Sequence, residues 1–450
     1  MKAKILLSLS LLAFLHSAVG QGALTPPAAP APTMKTLAQI EPRTPISSIP
    51  TTISVPGSYY LTTNLAGIAA SAGIAISASD VTLDLNGFTL IGVAGSTDGI
   101  NISGARTNIT IRNGTVRGWG ANGVDGSSIV NSRLVDLSVS SNGGRGINIG
   151  SGNVINGCTA RNNGSDGIYT ANYNVISGCA AHNNTGHGLR VATGGRIVDS
   201  VSTGNGSNGI EAGFDSSVSG CSAFANVADG VSVGDGSTVI GCASRSNLVD
   251  GIVGTVSCRV VDCTAARNID DGVDLGTGGS VSGCTVYDNA DRGINAAFGC
   301  TVSACSAYSN TGTGIFANSG SSVFQCASYQ NPTNGITVSN GRVSGCTARG
   351  NSGNGIVADS SLVENNNCIG NTLAAIRITS SQSRVENNNC GGGQRGIHVL
   401  NPDNIIIRNT VTGASVLAYD IIAGNSYGTI NSIAGGAIIT TGNSFANFEY

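Results

Sequence analysis

The chain has 450 residues, of which 10% are charged and 4% aromatic, with 66 glycines and a formal net charge of -3. So little basic charge excludes the cationic stripe that a nucleic-acid partner would need. Scarce helix formers beside abundant small, β-branched and turn-forming residues favour an all-β chain.

Residues 1–20 read as an export signal. Lys2 and Lys4 precede an apolar stretch, Ile5 to Leu15, and Ala18 and Gly20 put small residues before a cut at Gly20/Gln21. That stretch is short for a membrane span, and no later one is longer. The expected destination is secreted, periplasmic or cell-surface. Residues 21–50 read as a Pro-rich linker that stays extended and does not pack, since eight of the ten prolines lie between Pro26 and Pro56. Residues 51–98 read as an N-terminal cap with the first turns, 99–411 as a repeat array, and 412–450 as a C-terminal cap.

The array announces itself by periodicity. Glycines before an aliphatic residue recur every 21 residues from Gly146 through Gly251 to Gly335. Cys158, Cys179, Cys221, Cys242, Cys263, Cys284, Cys305 and Cys326 keep the same step, with Ser200 at the missing rung. A small residue lies two places after this column, from Ala160 through Ser202 to Ala265, and an asparagine five places after it, from Asn163 to Asn331. The apolar runs are too short for helices. A unit this small cannot bury its own apolar side, so copies must stack, advancing about 4.8 Å per winding. The asparagines are expected to bond the bends and their own copies above and below. The glycine before the aliphatic residue is expected to permit a turn conformation that other residues resist. Thirteen cysteines, pointing the same way at one-strand spacing, read as apolar filler in place of disulfides. Cys258 and Cys300 fall outside the main column.

These Gly-Ile, Val-x-x-Cys and Asn columns, with "ISVPGSYYLTTNL" and "DVTLDLNGFTLIG" ahead of them, resemble the right-handed parallel β-helix repeats of the pectate-lyase-like superfamily. The resemblance covers roughly residues 51–450. It implies an all-β right-handed parallel β-helix of about 21 residues per turn, with capping segments at both ends. The scaffold hosts lyases, hydrolases, tail-spike-like proteins and passive binders, so activity must be argued from sites.

Three groups of residues are candidates. Asp229, Asp250 and Asp271 share one slot on successive turns, with Arg292 on the fourth. Stacked carboxylates repel by about 1 kcal/mol even in water. Ca²⁺ would suit them, a carboxylate pair could serve glycosidic cleavage with Arg292 beside it, and Asp before Gly is also ordinary turn chemistry. Tyr287, Tyr308 and Tyr329 stack three places after successive cysteines. They form either a platform for sugar rings or a packing ladder. "GHG" around His187, Asp270-Asp271 and "RIT" at Arg377 echo the polygalacturonase signature, but in the wrong order and without its Asn-Thr-Asp. A lyase relying on lysine is excluded, since Lys35 is the only one after the signal. The favoured reading is an exported, non-catalytic, glycan-interacting surface protein with no required cofactor. The competing class is a polysaccharide lyase or glycoside hydrolase.

Overall fold

One turn illustrates the architecture. Val231–Val233, Thr238–Ile240 and Ala243–Arg245 are three short strands. Each pairs in parallel with its copy one turn on: Val231 with Ile252, Thr238 with Arg259, Ala243 with Thr264. The computed structural model describes residues 41–433 and 442–450, and within them every strand pairing is parallel. The first-strand ladder runs through eighteen strands, from Thr51–Ile53 to Leu417–Ile421. The molecule is a parallel β-helix, contained in the compact unit Thr44–Tyr450. The expected export signal and the linker up to residue 40 lie outside the described residues.

Alternation within three-residue strands fills the interior. The first strand buries both ends and turns its middle residue out, as in Val231, Ser232 and Val233. The second and third strands bury their middle residues, here Val239 and Ser244. Cys242 and Ser244 lie on the same inner side, as the two-residue spacing predicts. All thirteen cysteines are free and buried. Burial alone pushes the Cys390 thiol up to about 12, so it stays protonated.

Each of the three bends uses the same device. A residue in the left-handed region turns the chain, and the next residue points inward and stacks on its copy. Gly241 and Cys242 do this at the second bend, Ser246 and Asn247 at the third, and Ser257 and Cys258 at the first. Cys258 and Cys300 therefore belong to a column of their own, shared with Ser237 and Ser321, whose hydroxyls take the amides of Ser216 and Cys300. At the third bend the ladder is asparagine from Asn142 to Asn371. Asn247 Oδ1 accepts the Asn226 N–H and Nδ2, both at 3.0 Å. Its own Nδ2 donates to Ser244 Oγ at 2.9 Å and Asn268 Oδ1 at 3.0 Å. From Asn142 to Asn351 every backbone amide of this stack is taken by the next asparagine, where an orphan would cost about 1–3 kcal/mol.

Two expectations are corrected. The repeated glycine before the aliphatic residue is not there for its torsion angles: Gly251 has no left-handed φ. A Cβ on it would lie 2.4 Å from Gly272 O and 2.6 Å from Asn268 Nδ2, so the asparagine ladder leaves no room for a side chain. The end of the supposed linker also packs. Thr44–Ile46 pairs with Tyr59–Leu61, and Ile46 is buried. The prolines there sit at an edge, where a missing N–H costs nothing.

The ends depart from the 21-residue step. First-ladder partners are 23 residues apart at Thr51–Ile74, 26 at Ile74–Ile100, 21 from Ile147–Ile168 through Ile315–Ile336, and 22 at Ile397–Tyr419. At the other end Asn447–Glu449 inserts between Thr410–Thr412 and Ile430–Ser432, placing Asn447 Oδ1 on the Asn409 amide at 3.0 Å.

Asn247→Ala leaves the Asn226 amide and Ser244 hydroxyl short of partners, so equilibrium unfolding should show a loss of about 3 kcal/mol. Cys263→Ser should stay within about 1 kcal/mol, because Ser200 already fills that slot and takes the Cys179 amide at 3.1 Å.

Candidate functional site

The outer surface of the first-strand ladder carries two adjacent rows. One is the middle residue of each strand; the other is the residue just before the glycine-aliphatic pair. Asp229, Asp250, Asp271 and Arg292 fall in the second row, on four consecutive turns. Here the acids do structural work: Asp229 Oδ1 accepts the Asp250 amide at 3.3 Å, Asp250 Oδ1 the Asp271 amide at 2.8 Å, and Asp271 Oδ1 the Arg292 amide at 2.8 Å. Asn208 and Asn334 make the same bond on other turns, to Asp229 and Asn354.

Their second oxygens remain. Burial, reinforced by repulsion from Asp229, pushes the Asp250 carboxyl up to about 7. Burial pushes Asp271 to about 7 as well, against the opposing pull of the Arg292 amide and guanidinium. Asp229 and Asp274 are raised by burial too. One oxygen from each of Asp250, Asp270 and Asp271 lies within 4.8 Å of the others. A hard cation such as Ca²⁺ would be met by these three. That is fewer than the about six to eight oxygens it takes, and two of the three residues already commit Oδ1 to an amide.

The tyrosines project from the third strand. Tyr287 and Tyr308 stack with centroids 5.0 Å apart and planes 2° off parallel; Tyr308 and Tyr329 are 4.8 Å apart and 6° off parallel. Their faces are turned toward each other, so the middle ring offers neither face to a ligand. Tyr329 ends the stack. It borders an open depression of about 550 Å³ lined also by Gln330, Thr347, Arg349 and Gly350.

A third constellation escaped the sequence reading. On the first-strand surface the Arg145 guanidinium lies 3.9 Å from the Tyr169 ring centroid, and that of Arg190 lies 5.5 Å away. Arg145 Nε donates to Asp166 Oδ2 at 3.2 Å and its Nη1 to Asn148 Oδ1 at 3.0 Å. Asp166, only 4% exposed, takes the His187 amide on Oδ1 at 2.9 Å. Burial holds the His187 imidazole below its usual range, and its Nδ1 is buried without a hydrogen-bond partner. The available signal was the pair of 21-residue series 145–166–187 and 148–169–190, three places apart; each alone looks like varied turn residues.

A family model described as "Right handed beta helix region" matches residues 72–223 and 294–449. The chain belongs to the right-handed β-helix family. No curated protein matches it. Among solved structures, the A-module of the Azotobacter vinelandii mannuronan C-5 epimerase AlgE6 is 15% identical, with 82% of this chain and 89% of that one covered and a TM-score of 0.23. A periplasmic alginate epimerase AlgG mutant is 12% identical over 82% and 79%, with a TM-score of 0.26. The Dettilon tailspike protein is 13% identical over 79% and 60%, with a TM-score of 0.28.

The raised carboxyls make the β-helix pH-sensitive in a defined sense. Between about pH 4 and 7 the unfolded chain has released protons that folded Asp250 and Asp271 still hold. Their contribution to stability is thus full below pH 4 and is lost as pH rises toward 7. Asp250→Asn keeps the oxygen that accepts the Asp271 amide but removes the charge. Thermal unfolding should show it melting about 1–4 °C above the parent at pH 8, and together with it at pH 4.

Proposed function

We propose that the chain is an exported, non-catalytic β-helix protein that binds glycan on its outer surface. The observation that carries the reading is the depression at the end of the tyrosine stack. Tyr329 supplies a ring for the apolar C–H face of a sugar, and Gln330, Thr347 and Arg349 supply an amide, a hydroxyl and a guanidinium for its hydroxyls. The rings beneath hold Tyr329 in place, so little side-chain freedom is lost on binding. An extended glycan lying along the axis would meet a new row of side chains about every 4.8 Å.

Two further observations support the parts of this reading. The N-terminal pattern of Lys2, Lys4, the apolar Ile5–Leu15 stretch, Ala18 and Gly20 fits export. The winding step stays between 20 and 22 residues from Ile147 to Tyr419, so these turns grow no long loop to wall a cleft and exclude water from a reaction.

The enzyme reading has one specific observation in its favour. Carboxyls held near pH 7 at Asp250 and Asp271 are tuned as a general acid or base would be. Polysaccharide incubated with the protein would then release new reducing ends or unsaturated products, and Asp250→Asn would stop it. Under the binding reading no product forms. Glycan-array binding is then expected, weakened about tenfold in Tyr329→Ala and little changed in Tyr287→Ala at the far end of the stack. Equal binding by parent and Tyr329→Ala would remove the site; no binding to any glycan would remove the function.

A further inference from the structure

The Arg145–Glu211 stretch of the first-strand surface combines fixed and uncommitted groups. Arg145 is locked by Asp166, Asn148 and the Tyr169 ring. Arg190 is different. Its neighbour one rung on is Glu211, the obvious partner, yet Glu211 Oε2 instead accepts from Asn208 Nδ2 at 2.6 Å. Arg190 leans the other way, over Tyr169, and carries no carboxylate in an ion pair. Arg190, Tyr169 and His187 are all partly exposed, so the group opens to solvent beside one buried imidazole nitrogen that lacks a partner.

We propose that Arg190, Tyr169 and His187 form a recognition site for a carboxylate group, borne on a sugar residue or on a free small acid. A guanidinium resting over an aromatic ring, as Arg190 does at 5.5 Å from the Tyr169 centroid, presents its planar fork for two parallel bonds to a carboxylate. Asp166 neutralises Arg145 beneath, so the positive charge offered outward is that of Arg190. The charged groups facing His187 are Asp166, Glu211 and Arg190. In the free protein burial disfavours the protonated imidazole; an added anion beside it favours that form. Affinity should therefore rise as pH falls from 8 to 5.5, a range in which a sugar carboxylate stays ionised.

The site shares no residue with the Tyr329 depression, so the two stand or fall separately. Calorimetric titration of the full chain with a galacturonate hexamer, a galactose hexamer and acetate tests it. The galacturonate hexamer should bind at least about tenfold more tightly than the galactose hexamer, and more tightly at pH 5.5 than at pH 8. Arg190→Gln should abolish that preference, and Arg190→Lys should not restore it. His187→Gln should bind with no pH dependence. Acetate binding as tightly as the hexamer assigns the site to free acids; much weaker binding assigns it to the glycan. A folded protein, checked by its melting curve, that treats the two hexamers alike overturns the proposal. So does a carboxylate preference that survives Arg190→Gln.

Discussion

The structure depends on how a chain can bend three times in 21 residues without leaving a buried amide unpaired. Each bend begins with one residue in the left-handed region, and at the asparagine and serine rungs the next side chain points inward and accepts the N–H of its copy on the preceding turn; Gly195, Gly279 and Gly341 hold that slot at the first bend without a side chain. The left-handed residue is glycine in many places, but also Tyr173, Ala304 and Gln325, where the conformation costs roughly 1–2 kcal/mol. The stacked acceptor offsets that strain by closing the backbone. Asparagine does it best, because Oδ1 takes the amide while Nδ2 reaches both the next oxygen and a backbone carbonyl, as Asn184 does with Asn205 Oδ1 and Ala160 O.

Other columns can be read as grades of the same device. Cysteine is the weakest acceptor: Cys263 Sγ takes the Cys242 amide at 3.4 Å, and its thiol donates back to Val261 O at 3.1 Å. Its volume fills the interior where an amide would add buried polarity. Toward the C-terminal end this column changes identity. Asn366 takes the Cys346 amide, Asn388 takes that of Asn366, Asn409 that of Asn388, and Asn447 that of Asn409. Stronger acceptors thus stand near the end, where fewer neighbouring turns hold the stack. The last of them arrives on a strand from the end of the chain.

The winding was legible in the sequence because stacking turns a three-dimensional relation into a constant spacing. Gly251, Cys242 and Asn247 each announce a column by recurring every 21 residues. The reason for the glycine was not legible, since the atoms that exclude a Cβ belong to Asn268 and Gly272 on the next turn. Asn447 was invisible as a ladder member because it reaches its rung 38 residues after Asn409. Among candidate residues, the sequence placed the three tyrosines and the three aspartates in their columns but could not say which way a ring faces or which carboxylate oxygen is occupied. The group around Tyr169 spans two columns whose members differ in type from turn to turn, so no single periodic pattern reveals it.

The claim that inward side chains at the bends close the backbone is tested most directly by amide hydrogen exchange on the native protein. Bends in a β-protein ordinarily exchange faster than strands. Here the amides of Asn226, Asn247 and Asn268, bonded at 3.0–3.1 Å to the next asparagine, should exchange as slowly as the strand amide of Val239, and only through global unfolding. If these asparagine amides exchange within the time of exposed loops while the strands stay protected, the bends are open to water and the account is contradicted.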